Sequence, residues 1–104
     1  MLTSKQRAYL RGLANSMDDL FQVGKSGITE NLITQTDEAL EARELIKLRC
    51  LETAGMTSRE AADILAEKCR ANSVQVIGSK FVLYRPASDP KKRKIELPAE
   101  KKRK

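Results

Sequence analysis

The chain contains no histidine and no tryptophan, and only two cysteines among its 104 residues. Without histidine, a serine or cysteine nucleophile lacks its usual general base. Two cysteines and no histidine are also too few ligands for a tetrahedral zinc site. Cys50 and Cys69 lie inside apolar segments rather than in a C-x-x-C pair, so both read as buried thiols, not as a disulfide or redox couple. Two Phe and two Tyr are the only aromatics, which argues against the base-stacking sheet of an RRM. No apolar run approaches the ~20 residues of a membrane-spanning helix. Met1-Leu2-Thr3 runs straight into a helical pattern; no signal peptide is expected, and the expected location is cytoplasmic. These absences leave a small non-catalytic domain with no cofactor, metal or small-molecule substrate to expect. A chain of this length holds one core without staples.

What is present is charge, unevenly placed. The formal net charge is +6. Residues 1–90 balance 12 Lys/Arg against 12 Asp/Glu, while residues 91–104 carry eight Lys/Arg against two Glu. The sequence Lys-Lys-Arg-Lys occurs at 91–94 and again at 101–104. A basic tail on a neutral domain points to an anionic polymer, because a flexible cation cluster can follow a phosphate chain. Lys91, Lys92, Arg93 and Lys94 are therefore candidate contacts. A solubilising or targeting tail, or one that binds an acidic protein or a membrane surface, is the rival reading. It predicts salt-sensitive binding that does not involve residues 24–27.

Periodicity supplies the elements. Thr3-x-x-Gln6 forms a capping box, and Leu2, Gln6, Tyr9, Leu10 and Leu13 recur at helical spacing, predicting a helix over 4–14. A turn at 15–19 leads to a strand over 20–23. Ile28, Leu32, Thr36 and Leu40 predict a helix over about 29–43, whose polar side (Glu30, Asp37, Glu38, Glu41, Glu44) is acidic and reads as a solvated face. Residues 45–51 read as a strand, with Lys47 and Arg49 on one face. Thr57-x-x-Glu60 opens a third helix through about Arg70, ended by Asn72-Ser73. Val74–Ile77 and Lys80–Arg85 form a hairpin about Gly78-Ser79, stopped by Pro86. Tyr84 reads as packed. Ile95 and Leu97, at period two, are expected to dock as a final short strand ended by Pro98. The order predicts an α/β fold, a compact α-β-α-β-α-β-β sandwich on a mixed four-stranded sheet. Residues 1–98 form the domain, and 99–104 a basic, disordered tail.

One short motif carries chemistry. Gly24-Lys25-Ser26-Gly27 lies between the first strand and the second helix. Glycines permit a tight turn and close backbone approach. The helix that follows offers unpaired amides and a dipole that favour an anion. Lys25 adds a flexible point charge and Ser26 a hydroxyl donor. A P-loop would need glycine where Asp19 stands. A nucleophile elbow would need glycine where Ile28 stands. On the first helix, Arg7 and Arg11 are four residues apart and lie away from the apolar stripe, with Lys5 flanking.

Taken together, Lys5-Gln6-Arg7 with Arg11–Ala14, Val23–Thr29, Glu44–Leu48, Val74–Gly78 and Val82–Pro86 resemble the CRM domain, the chloroplast RNA splicing and ribosome maturation module, in its bacterial single-domain form. The resemblance spans about Leu2 to Leu97. It implies a fold similar to the C-terminal domain of translation initiation factor three. It also implies RNA binding centred on Gly24, Lys25, Ser26 and Gly27, with Thr29 beside them. The implied partner is large-subunit ribosomal RNA or its precursor particle. Plant members act as group II intron splicing factors, which is the alternative RNA partner. The doubled basic tail departs from the family pattern.

Overall fold

The computed structural model describes residues 2–98; the expectation of a disordered tail at 99–104 falls outside them. Both predicted capping boxes form. Thr3 Oγ1 accepts from the Gln6 amide at 3.0 Å, and Gln6 Oε1 accepts from the Thr3 amide at 3.1 Å. This opens α1 (Ser4–Ala14). Thr57 and Glu60 do the same at 3.1 and 2.9 Å for α3 (Ser58–Cys69). Each such cap contributes about 1 kcal/mol. The second helix, α2 (Glu30–Arg43), is capped by Thr29 alone, with Leu32 at the position where a box needs Glu or Gln.

The strands are β1 (Phe21–Val23), β2 (Leu45–Cys50), β3 (Asn72–Ile77) and β4 (Lys80–Tyr84). They form one sheet in the order β1-β2-β4-β3. β1 and β2 pair in parallel across the α2 crossover, and β4 lies antiparallel between β2 and β3. The mixed four-stranded α/β architecture is thus the predicted one. β3 begins two residues earlier than expected. Arg70 turns the chain in the left-handed region, φ 56°, and the Ala71 amide closes back onto the Ala66 carbonyl at 2.7 Å. Asn72 and Ser73 are thereby released to pair with Tyr84 and Leu83. Gly78, φ 57°, makes the hairpin turn.

Alternation along the strands divides the core into two layers. Val23, Ile46, Leu48, Cys50, Phe81 and Leu83 meet α2 and α3 on one face. Leu45, Val74, Val82 and Tyr84 meet Leu10 and Ala14 of α1 on the other, with Ile95 and Leu97 packed against them. Ile95 and Leu97 do dock as expected, but no strand forms there. The amides of Lys94 and Ile95 donate instead to Glu44 Oε1, at 2.7 and 2.8 Å, so they are not available to a strand edge. A 3-10 turn at Pro90–Lys92 precedes this segment.

The acidic side of α2 also departs from expectation. Glu44 is fully buried, and Glu41 is partly covered. Glu44 Oε2 accepts from the Ala87 amide at 2.8 Å. Glu41 accepts from the amides of Ser88 and Asp89 and from the Ser88 hydroxyl. Arg85 reaches Asp37, Glu41 and the Cys69 carbonyl. The end of α2 is therefore a clamp for the chain that follows β4. Helical spacing alone makes these carboxylates look solvated, because their partners lie more than 40 residues away.

Candidate nucleic-acid interface

The register places Gly24–Gly27 at one end of the sheet. Val23 pairs with Cys50, and the Cys50 amide donates to the Ser79 carbonyl of the hairpin. The ends of β1, β2 and β3 and the starts of α2 and α3 converge there, tied by Ser58 Oγ donating to the Gly78 carbonyl at 2.8 Å. In open α/β sheets this end, beyond the carboxyl ends of parallel strands, is where ligands are bound.

Within the loop, the Gly27 amide donates to the Gly24 carbonyl at 2.8 Å. Gly27 has φ 71°, a left-handed conformation that a side chain strains. Gly24 has no such φ, and a Cβ there would meet nothing closer than Leu51 Cδ1 at 3.7 Å. The fold therefore requires glycine at 27 and tolerates a methyl at 24. Lys25 and Ser26 stand exposed at the tip of the turn. Thr29 is half-buried, and its hydroxyl accepts from the Leu32 amide at 3.1 Å, so it serves the helix start behind the tip. Glu30, in the first turn of α2, is an exposed negative charge at the same end.

The other candidate cations do not gather around this loop. Arg7 is half-buried, not on an outward face, and one of its Nη1 hydrogens goes to the Ser73 carbonyl. Ser73 is the second residue of β3 and pairs with Leu83, at the far end of the sheet. Gln6 of the same helix turn donates to the Pro98 carbonyl. Lys5 is exposed and Arg11 half-buried on α1. Lys91, Lys92, Arg93 and Lys94 are exposed at that far end, above the Glu44 clamp, and Arg93 Nε donates to the Ala87 carbonyl at 2.8 Å. β2 alone, at ~3.4 Å per residue, separates the two ends by roughly 17 Å.

A further group was only half visible in the sequence. Lys47 and Arg49 of β2 point to the α1 side of the sheet, and Lys80 lies directly opposite Arg49 on β4. Asp19 sits against them, 3.3 Å from Lys80 Nζ and 3.9 Å from Arg49 Nε. A backbone hydrogen bond, with Lys80 and Arg49 adding to it, lowers the Asp19 pKa despite partial burial. Lys47 and Arg49 were legible at alternating positions, but the pairing of Arg49 with Lys80 required the register.

Both cysteines are free thiols and buried. Burial raises the pKa of both Cys50 and Cys69, and raised thiols are inert. Among the described residues, no group of three or more His, Cys, Asp or Glu is placed to hold a metal ion.

The described residues form a three-helix α/β sandwich with an exposed, lysine-bearing glycine turn at one end of its sheet. The CRS1 / YhbY (CRM) domain model matches residues 2–85, and the chain belongs to that family. It is 44% identical over 98 residues to "Probable RNA-binding protein YqeI" of Bacillus subtilis, covering 94% of this chain and 100% of that protein. A Haemophilus influenzae protein named "RNA-binding protein" is 33% identical over 97 residues, covering 93% of this chain and 95% of its own. The solution structure of the hypothetical protein SAV1595 from Staphylococcus aureus, itself given as an RNA-binding candidate, superposes with a TM-score of 0.72. Its identity is 46%, over 94% of this chain and 100% of that one.

Proposed function

We infer that this chain is a non-catalytic, cytoplasmic RNA-binding protein, and that its RNA is ribosomal RNA of large-subunit precursors. RNA binding is supported by the names of its full-length relatives. The ribosomal partner follows from the resemblance to stand-alone bacterial members of the family. The observation that carries the site is the Gly27 turn, which holds Lys25 and Ser26 out in solvent ahead of α2. A phosphate seated there meets the α2 amides and the Lys25 ammonium together. Scarce aromatics and exposed cations favour recognition of backbone and shape over stacking on bases. Lys5, with Lys91, Lys92, Arg93 and Lys94 at the far end of the sheet, acts as a separate, distant set of backbone contacts. Crosslinking the protein to cellular RNA and sequencing the adducts tests the reading. Adducts concentrated in large-subunit precursor RNA support it; intron RNA would favour the splicing alternative, and an absence of RNA adducts would remove it.

A further inference from the structure

α1 covers only part of its face of the sheet. It ends at Ala14, and beyond Asn15 the face is open, a shallow groove lined by Lys47, Gln75, Ile77, Lys80 and Val82. Ile77 is 62% exposed there. By strand pairing, Arg49 and Gln22 continue the same face toward β1. Arg49 stands one residue from the Val23–Cys50 pair, where β1 gives way to Gly24. The groove and the glycine turn are therefore neighbours.

The charge arrangement of this face does not serve stability. Like charges directly opposite across a strand pair are destabilising, yet Arg49 and Lys80 occupy such a pair. Asp19 offsets one unit of charge and leaves two in excess among Lys47, Arg49 and Lys80. The spacing also suits a polyanion. Lys47 and Arg49, two residues apart on one strand, stand roughly 7 Å apart, and Lys80 is across at ~5 Å.

We propose that the open sheet face is a second RNA contact, over which the sugar-phosphate backbone of the strand held by the glycine turn continues, with Lys47, Arg49 and Lys80 on its phosphates. Gln22 and Gln75 present amide donors and acceptors for sugar hydroxyls and base edges. Ile77 gives an apolar floor but no stacking plane. In the free protein Asp19 occupies part of this site, and RNA displaces it. The proposal rests on the RNA-binding reading above.

The test uses the full chain and a fluorescein-labelled RNA hairpin with a single-stranded extension, titrated over a range of salt. Lys47→Gln with Lys80→Gln removes two contacts, so the slope of log affinity against log salt becomes shallower by about 1.5, and affinity at about 0.1 M salt falls about 10-fold or more. Asp19→Asn acts in the opposite sense, tightening binding about 2–5-fold by removing the competing carboxylate; a damaged fold would not produce tighter binding. If Lys25→Glu weakens binding while both face variants match the parent, the sheet-face contact is overturned and the loop reading stands. If the parent itself does not bind, both fall. Amide and side-chain NMR shifts in the unaltered chain supply a readout free of folding artefacts. Shifts at residues 47–49 and 75–80 on adding RNA support the contact, and shifts confined to residues 24–30 overturn it.

Discussion

Replacing Glu44 by alanine should detach the segment that follows β4, at a large cost in stability. The carboxylate is fully buried at the end of α2 and accepts three backbone N–H groups, from Ala87, Lys94 and Ile95, at 2.7–2.8 Å. Burial pushes its pKa up, but those three N–H groups, with Arg93 nearby, outweigh burial and hold it below the usual glutamate value. A hydrogen bond to a charged acceptor is worth about 1.5–3 kcal/mol, so three of them set an upper range near the whole stability of a small domain. The loss saturates earlier. Once the segment lifts away, its amides are hydrated, and what is forfeited is its docking: the burial of Ala87 and the half-burial of Ile95 and Leu97, at roughly 25 cal/mol per Å². About 3 kcal/mol is the expected cost, lowering the midpoint of thermal unfolding by roughly 12–24 °C. Glu44 also has φ 69°, ψ −38°, so Glu44→Gly relieves backbone strain while removing the same carboxylate, and should melt above Glu44→Ala. Far-UV circular dichroism at neutral pH reads both, since the chain has no tryptophan to follow. An alanine variant melting within about 3 °C of the parent would refute the clamp.

Gly27→Val should lose both stability and RNA binding, because a β-branched residue is strained at φ 71°; equal melting and binding would show that the turn does not need glycine. Gly24→Ala should melt like the parent, its Cβ meeting only Leu51 at 3.7 Å, so any loss of RNA affinity there reports close approach by the ligand. Amides of Ser88 and Asp89, with the Ser88 hydroxyl, depress the Glu41 pKa from 4.5 to about 2. The stabilisation from this depressed carboxylate is complete above its unfolded value and is lost as pH falls from there toward about 2. NMR titration of the Ser88 amide should follow a midpoint near 2, and a midpoint near the ordinary value would contradict the contact. Deleting residues 99–104 removes four cations; the fold should persist and the salt slope of RNA binding should become shallower by about 3 if all four touch phosphate. An identical slope would assign the tail to solubility or targeting.

The order of elements was legible because each carries a local signature: two capping boxes, period-two strands, and glycine at both turns. The glycine turn was legible for the same reason, since one four-residue motif contains its conformational requirement. Contacts distant in sequence were not. Nothing in the local sequence distinguishes Glu44, buried just past the end of α2 and holding residues 87, 94 and 95, from Glu38, which is exposed on that helix. Ile95 and Leu97 showed strand periodicity, yet a carboxylate takes the amides that a ladder would have used. Arg7 looked outward on a helical wheel because the start of β3, which it meets, is 66 residues away. The cations of the open sheet face come from two strands whose alignment only the register defines.

RNA affinity of Lys25→Glu, in a full-length variant that melts like the parent, tests the central claim most directly. Lys25 is exposed at the tip of a turn and makes no contact on which the described fold depends, so folding should be unaffected. Reversing its charge removes one phosphate contact and adds repulsion. Affinity for the labelled RNA hairpin should fall about 10-fold or more at about 0.1 M salt, with a slope shallower by roughly 1 or more. A folded Lys25→Glu protein that binds RNA with the parent's affinity and salt dependence would contradict the assignment of the glycine turn as the RNA-binding site.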